Sequence, residues 1–376
     1  MTPRRPAETR DRAFMRRAIS LARRGWGQTA PNPMVGAVVV RDGAIIGEGW
    51  HARFGGDHAE IAALRAAGDA ARGSTVYVTL EPCAHFGKTP PCTRALIAAG
   101  IARVVIAARD PNPDAAGGLA ELASAGIEVA AGVEEETSRE LNAQFFHGFA
   151  SARPWVTLKL AISLDAAVAD SRGASRWITG AASRRTVHHL RAGNDAIAVG
   201  IGSALADEPS LTVREAPPPR IAPARVVFDR TARLPPGSPL VTTAREIPTI
   251  VVHAAADAGR LATLAESGVR LVRAESLDQG LRLLRALELR SLLVEGGPRL
   301  AGALLVASLV DRLIIFQAPI VLGAGAAGAF AHVPAAELAL ARRYRLIERR
   351  RVGADTMIVY APSGADREET IVHGTG

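Results

Sequence analysis

The stretch His58-Ala59-Glu60, answered downstream by Pro82-Cys83 and Cys92, constrains this chain more than any other feature. Cys83 and Cys92 are its only cysteines. One histidine and two cysteines can hold zinc by three protein ligands and leave the fourth tetrahedral position open, which marks a catalytic rather than a structural site. Glu60 adds the carboxylate that shuttles protons to and from a nucleophilic water. The surrounding segments suit such a site. Asp57 can cap a helix that starts at His58 and ends at Gly68. The strand Thr75 to Leu80 runs into the corner Glu81-Pro82-Cys83, and Cys92 opens the next helix. Both sulfurs then lie near helix N-termini, where the dipole favours thiolate. Two other readings compete. A disulfide or a pair of inert thiols explains neither His-x-Glu nor the proline, and a closed site with His85 as fourth ligand leaves Glu60 without a role.

An H-x-E…P-C-x-x-C pattern is that of zinc-dependent base deaminases, with the glutamate as acid and base. Here eight residues, AHFGKTPP, separate the cysteines. Upstream, Pro31 and Pro33 fix the backbone around Asn32 just before a strand over 35–40, a loop suited to presenting an amide to a ligand. Arg41-Asp42-Gly43 turns that strand into a second one, Ala44 to Trp50. His51 follows, close enough to the zinc histidine to be a substrate contact. A helix over about 10–24, a strand over 104–107 and a helix near 134–143 complete a mostly parallel α/β sheet with the hairpin at one edge. Phe145 to Arg153 reads as a connector, and Pro154 marks a boundary.

Length bounds the rest: 376 residues predict two domains, or three. The net charge of +8 comes almost wholly from arginine, since Lys88 and Lys159 are the only lysines. No dense basic run with interleaved aromatics stands out, so the charge reads as spread over helix faces rather than as a nucleic-acid surface. The N-terminus lacks an apolar signal region, and no apolar run reaches membrane-spanning length. Two thiols in so long a chain suit a reducing compartment, and cytoplasm is expected.

The loop between the cysteines resembles one family, the bifunctional pyrimidine deaminase–reductase of riboflavin biosynthesis. Its deaminase half carries PNPxVG, HAE, TLEPCxHxGxTPPC and DPNP. This chain reads Pro31-Asn32-Pro33-Met34-Val35-Gly36, His58-Ala59-Glu60, Thr79-Leu80-Glu81-Pro82-Cys83 through Pro90-Pro91-Cys92, and Asp110-Pro111-Asn112-Pro113. The resemblance implies a cytidine-deaminase-like α/β/α domain over 1–150 that removes the 2-amino group of 2,5-diamino-6-(5-phosphoribosylamino)pyrimidin-4-one. It implies Zn2+ on His58, Cys83 and Cys92, Glu60 as proton shuttle, and substrate contacts from Asn32, His51 and Lys88. A compact ammonium at 88, in a chain that otherwise chooses arginine, fits a carbonyl or phosphate oxygen.

Strand-like and helical runs alternate again from Trp155 onward, so the second half is also α/β. No G-x-G-x-x-G opens a helix there, and a Rossmann dinucleotide site is unsupported. Glu295-Gly296-Gly297-Pro298 instead follows a strand and opens a helix, a place where backbone N–H groups meet an anion. VEGGPRLAGALL, Ser175-Arg176-Trp177-Ile178-Thr179, His189-Leu190-Arg191 and the Ala206-Asp207-Glu208-Pro209 segment resemble the reductase half of the same family, dihydrofolate-reductase-like and NADPH-dependent. The resemblance implies a reductase domain over 151–362. It places Ala161, Trp177, Ser203, Asp207, Gly297, Pro298, Arg299, Leu300, Ala301, Gly302 and Ala303 on the cofactor, and Ser175, Arg191, Leu211, Arg214 and Glu295 on the substrate. Two positions depart from the family. Asp165 is followed by Ala166-Ala167 where Gly and a cation are usual, and Arg230 replaces a serine, which suits it to the cofactor's 2′-phosphate. The tail 363–376 is polar and expected to be disordered. The expected partners are a pyrimidine ribose phosphate and further copies of the chain, with neither nucleic acid nor membrane.

Overall fold

The computed structural model describes residues 6–86 and 90–363, with side chains from residue 9. The chain forms two compact units, 1–150 and 151–376. In the first, α1 (Pro6–Ala22) precedes the hairpin β1 (Gly36–Arg41) and β2 (Ala44–Trp50), followed by α2 (Ala59–Ala67), β3 (Thr75–Leu80), α3 (Cys92–Ala98), β4 (Arg103–Ala108), α4 (Gly118–Ser124), β5 (Glu128–Ala131), α5 (Glu135–Leu141) and α6 (Ala143–Ala150). The sheet order is β2-β1-β3-β4-β5, with the hairpin at the antiparallel edge. Period-two alternation decides the layers. Ala37 and Val39 face one apolar cluster with α2, α3 and α4, while Val38 and Val40 face another with α1. The result is helices on both faces of one sheet.

Two expectations for this unit fail. Residues 143–150 form α6 rather than a connector, because Phe146 is buried and Phe145 stacks edge-on against it. Asp57 does not cap α2: its carboxylate pairs with Arg65 at 2.7 Å, and His58 itself is the N-cap residue, with extended backbone. Glycine is required where α2 lies on β2. A Cβ at Gly49 would stand 2.4 Å from the Ala59 carbonyl oxygen, so a side chain there pushes away the helix that carries His58 and Glu60.

The second unit contains β6 (Trp155–Ile162), β7 (Ala167–Ala169), α7 (Ala181–Ala192), β8 (Ala196–Gly200), α8 (Ile201–Asp207), β9 (Ala224–Phe228), α9 (Pro239–Thr242), β10 (Thr249–His253), α10 (Ala258–Glu266), β11 (Arg270–Arg273), α11 (Leu277–Ala286), β12 (Ser291–Val294), α12 (Pro298–Val306), β13 (Arg312–Gln317), β14 (Ala327–Gly328), β15 (Tyr344–Val352) and β16 (Asp355–Pro362). Nine strands form one sheet, ordered β11-β10-β9-β8-β12-β6-β13-β16-β15. It is parallel from β11 to β13 and closes with the antiparallel pair β16 and β15. That pair escapes a reading by apolar runs, because exposed charged residues, arginines and Glu348, interrupt β15.

The departure at Ala166 keeps its turn. Ala166 adopts φ +59°, the left-handed region that glycine occupies freely. The turn is held from outside: Asp165 accepts hydrogen bonds from Leu322 N at 3.1 Å and Gly323 N at 2.8 Å, and Ser163 Oγ donates to it at 2.5 Å. These bonds draw the Asp165 carboxyl down to about 2, Ser163 first. An alanine in this conformation costs about 1–2 kcal/mol. Ala166→Gly is therefore expected to stabilise the second unit by roughly 1 kcal/mol, read as a later denaturant midpoint at unchanged slope.

Candidate active sites

The loop after β2, the strand end of β3 and the start of α3 bring one imidazole and two thiols together. His58 Nδ1 lies 3.2 Å from Cys92 Sγ and 3.6 Å from Cys83 Sγ, and the three ligand atoms fall within 4.8 Å of one another. Ligands of one tetrahedral zinc stand about 3.5–3.8 Å apart at the usual Zn–N and Zn–S lengths, so this donor set fits the ion. The Cys92 backbone N–H, in the first turn of α3, points at Cys83 Sγ from 3.4 Å. Hydrogen bonding from Cys92, and then from His58, pulls the Cys83 thiol down to about 4, while the same contact with Cys83 pushes Cys92 up. Two sulfurs competing for one proton are relieved when a divalent cation takes its place.

Glu60 sits in the first turn of α2 and is buried, 3% exposed. Burial pushes its carboxyl up to about 7, against the lowering effect of His58. His51 is also buried, and its ring meets that of His58 edge-on at 5.5 Å. Its Nδ1 lies 2.9 Å from the Asp57 carbonyl oxygen. A carbonyl only accepts, so Nδ1 carries the proton and Nε2 accepts from Asn32 Nδ2 at 3.3 Å. Burial lowers the His51 pKa and keeps the ring neutral. Asn32 Oδ1 is thereby left to accept from a ligand. Lys88 lies outside the described residues.

Glu81 is a residue that motif reasoning passed over. It accepts from the backbone N–H groups of Gly117 and Leu119, both at 3.2 Å, tying the start of α4 to the corner that carries Cys83. Thr93 Oγ1 adds a bond to Glu121 at 2.7 Å and one to the Cys83 carbonyl at 3.3 Å.

The second unit holds a separate cavity of about 1230 Å3. β8 and β12 are neighbours in the sheet, and each ends in glycine and a helix, α8 after Gly200 and α12 after Gly297. Two helix starts thus face one space, an arrangement that suits a pyrophosphate. Gly297 has φ −71°, so left-handed freedom is not its use. Its use is room, since a Cβ there would stand 3.0 Å from Ser203 Oγ. Ala161, Ser175, Trp177, Arg191, Ser203, Asp207, Leu211, Arg214, Arg230, Glu295, Pro298, Arg299, Leu300 and Ala303 all line the cavity with Gly297. Ala301 and Gly302 do not. Ala301 is buried in the apolar core, and Gly302 packs where a Cβ would meet the Ala331 carbonyl oxygen at 1.9 Å.

Arg191 lines the cavity and is also tied to its neighbours. Its Nε and Nη2 hold Glu295 at 2.6 and 3.1 Å, and Nη1 donates to the Thr212 carbonyl at 2.8 Å. It fixes Glu295 rather than standing open to an anion. Lys159, unremarked as a site from sequence, brings Nζ to 3.8 Å from Glu295, with its side chain 16% exposed. Desolvation lowers its pKa, opposed by Glu295. Ser175 Oγ donates to Asp207 at 3.3 Å, and Arg176 donates to the Asp207 backbone carbonyl.

A zinc centre in a three-layer α/β unit, followed by a parallel-sheet unit with a dinucleotide-sized cavity, defines a bifunctional deaminase–reductase. Residues 8–108 match the cytidine and deoxycytidylate deaminase zinc-binding region, and 154–358 match the RibD C-terminal domain. The chain is 42% identical to riboflavin biosynthesis protein RibD of Aquifex aeolicus over 93% of its own length and 98% of the relative's. It is 41% identical to that of Escherichia coli, again over 93% and 98%. The structure of Acinetobacter baumannii RibD superposes with a TM-score of 0.82 at 38% identity, covering 95% of this chain and 99% of that one. A diaminohydroxyphosphoribosylaminopyrimidine deaminase/5-amino-6-(5-phosphoribosylamino)uracil reductase from Thermotoga maritima also gives 0.82, at 35% identity, covering 95% and 100%. The chain belongs to the RibD family of riboflavin biosynthesis enzymes. It is an enzyme with a zinc-binding deaminase domain and a reductase domain. Among the described residues no helix is long and apolar enough to cross a membrane.

Proposed function

We propose that the first domain removes the 2-amino group of 2,5-diamino-6-(5-phosphoribosylamino)pyrimidin-4-one, and that the second reduces the ribosyl group of the product to ribityl with NADPH. The observation that carries this is the convergence of His58, Cys83, Cys92 and the buried Glu60 on one point. Zinc held there supplies the Lewis acidity that makes water a nucleophile near neutral pH. Asn32 Oδ1, aimed by the neutral His51, accepts from a ring or exocyclic N–H and orients the pyrimidine. Glu60 takes one proton from the attacking water and passes it to the ring nitrogen, then takes the remaining hydroxyl proton as the carbonyl forms and gives it to the amino group, which leaves as ammonia. Lys88 remains a substrate contact in this reading.

In the second domain NADPH supplies hydride. Gly297 and the α12 start hold its pyrophosphate, and Arg230 takes the 2′-phosphate with charge-assisted bonds that a hydroxyl cannot match. As C1′ takes hydride, the C1′–O4′ bond breaks and O4′ needs a proton. Lys159 Nζ, at the cavity wall beside Glu295, is placed to give it. The buried free thiols support a cytoplasmic protein. Exposed Leu338, Leu340 and Leu346 support association of copies into a homo-oligomer.

Incubation of the zinc-loaded protein with the diaminopyrimidinone phosphate, followed by mass analysis, tests the assignment. Oxygen is expected to replace the amino nitrogen without cofactor, and two hydrogens to be gained only with NADPH. NADH is expected to bind at least about tenfold more weakly, a difference of about 1.4 kcal/mol. An unchanged substrate mass with zinc bound overturns the deaminase reading, and equal binding of both cofactors removes Arg230 from the 2′-phosphate.

A further inference from the structure

One histidine in the reductase cavity has no part in the scheme above. His188 lies on α7, one turn before Arg191, and is 7% exposed while lining the cavity. Its Nδ1 is 3.3 Å from the backbone nitrogen of Arg214. A backbone N–H only donates, so Nδ1 holds a lone pair and the ring proton is on Nε2. Protonating Nδ1 would set two donors face to face. The charged groups around the ring are Arg191 on its own helix, Arg214 and Glu215 on the loop after α8, and Glu295 at the end of β12. Burial, and then the two arginines, hold its pKa below the ordinary value. His188 is therefore a neutral donor locked in one tautomer. Among the described residues its Nε2 has no protein acceptor.

We propose that His188 is a fixed neutral hydrogen-bond donor to the phosphate of the reductase substrate, and so a determinant of phosphorylated over unphosphorylated substrate. The inference rests on the reading that this cavity reduces a ribosyl phosphate. Arg214 stands beside His188 and spends Nη1 on Ser210 Oγ at 2.6 Å and Thr212 Oγ1 at 3.0 Å. Its Nε and Nη2 are left to face an anion. Arg191 is committed to Glu295 and Thr212. A dianion at this end thus meets one forked cation, and a further donor that adds no charge completes its hydrogen bonding. A locked neutral imidazole supplies that without the desolvation cost of a third cation.

The test compares wild type, His188→Asn and His188→Gln on 5-amino-6-(5-phosphoribosylamino)uracil and on its dephosphorylated form. Asparagine keeps an acceptor for the Arg214 N–H and loses the far donor, whereas glutamine reaches the far donor position. A bond to a charged group is worth enough that KM for the phosphorylated substrate should rise about tenfold or more in the asparagine variant. The glutamine variant should recover part of it. KM for the dephosphorylated substrate and the Kd for NADPH should stay unchanged in both. An equal rise on both substrates, a weakened NADPH complex, or a glutamine variant no better than asparagine overturns the proposal. Should the asparagine variant not fold, the ratio of the two KM values in the glutamine variant against wild type decides it. Wild type that fails to reduce the phosphorylated substrate defeats the functional reading instead.

Discussion

Glu60→Gln is expected to bind zinc as the parent does and to deaminate about 1,000- to 10,000-fold more slowly, the upper range for loss of a general acid–base group. Glutamine has the same shape and fills the same buried site, so the helix start carrying His58 is not disturbed. What it lacks is a proton to give and a lone pair basic enough to take one back. Metal content and ammonia release, measured on the same preparation, separate the two properties. Cys83→Ser should lose both, because it removes one of three ligands. If Glu60→Gln also loses zinc, Glu60 is a ligand or a folding residue and its assignment as the proton carrier fails.

Lys159→Met is expected to lower reduction by about 100- to 10,000-fold while leaving deamination unchanged, again the span of general acid catalysis. Methionine matches most of the stem and removes the ammonium. Glu295 keeps its two bonds from Arg191, so its carboxylate is not left alone in the cavity. NADPH affinity should hold, since the pyrophosphate is assigned to Gly297 and the start of α12 rather than to Lys159. Stopped-flow loss of NADPH absorbance, with a cofactor titration beside it, checks both halves. A variant that reduces normally would falsify the proton-donor role of Lys159.

The two units make these effects separable. Each owns its apolar clusters, with those of the first unit drawn wholly from residues 14–146 and those of the second from 156–360.

Much of the first site could be read from the chain alone, because its chemistry is written in rare residue types. Only two cysteines exist, and His-x-Glu has few other uses, so ligand identity did not depend on knowing the fold. Strands were equally legible wherever burial is two-sided, as in β1, β3 and β12, since a short continuous apolar run admits few alternatives. The β15–β16 pair was not legible, because an edge strand that faces water carries arginines instead of an apolar pattern.

What only the tertiary structure decided is which polar groups are already spoken for. Sequence showed a histidine, an asparagine and several arginines near the right motifs. It could not show that Asp57 turns from the helix to Arg65, that the Asp57 carbonyl sets the tautomer of His51, or that Arg191 is committed to Glu295. Nor could it separate Ala303, which lines the cavity, from Ala301 and Gly302 on the buried side of the same helix. Ligand identity belongs to residue type and short spacing. Donor direction, tautomer and burial arise from contacts in the folded chain, some of them far apart in sequence, as Asn32 with His51 and Arg191 with Glu295, and the distant ones exist only once the sheet has brought its strand ends together.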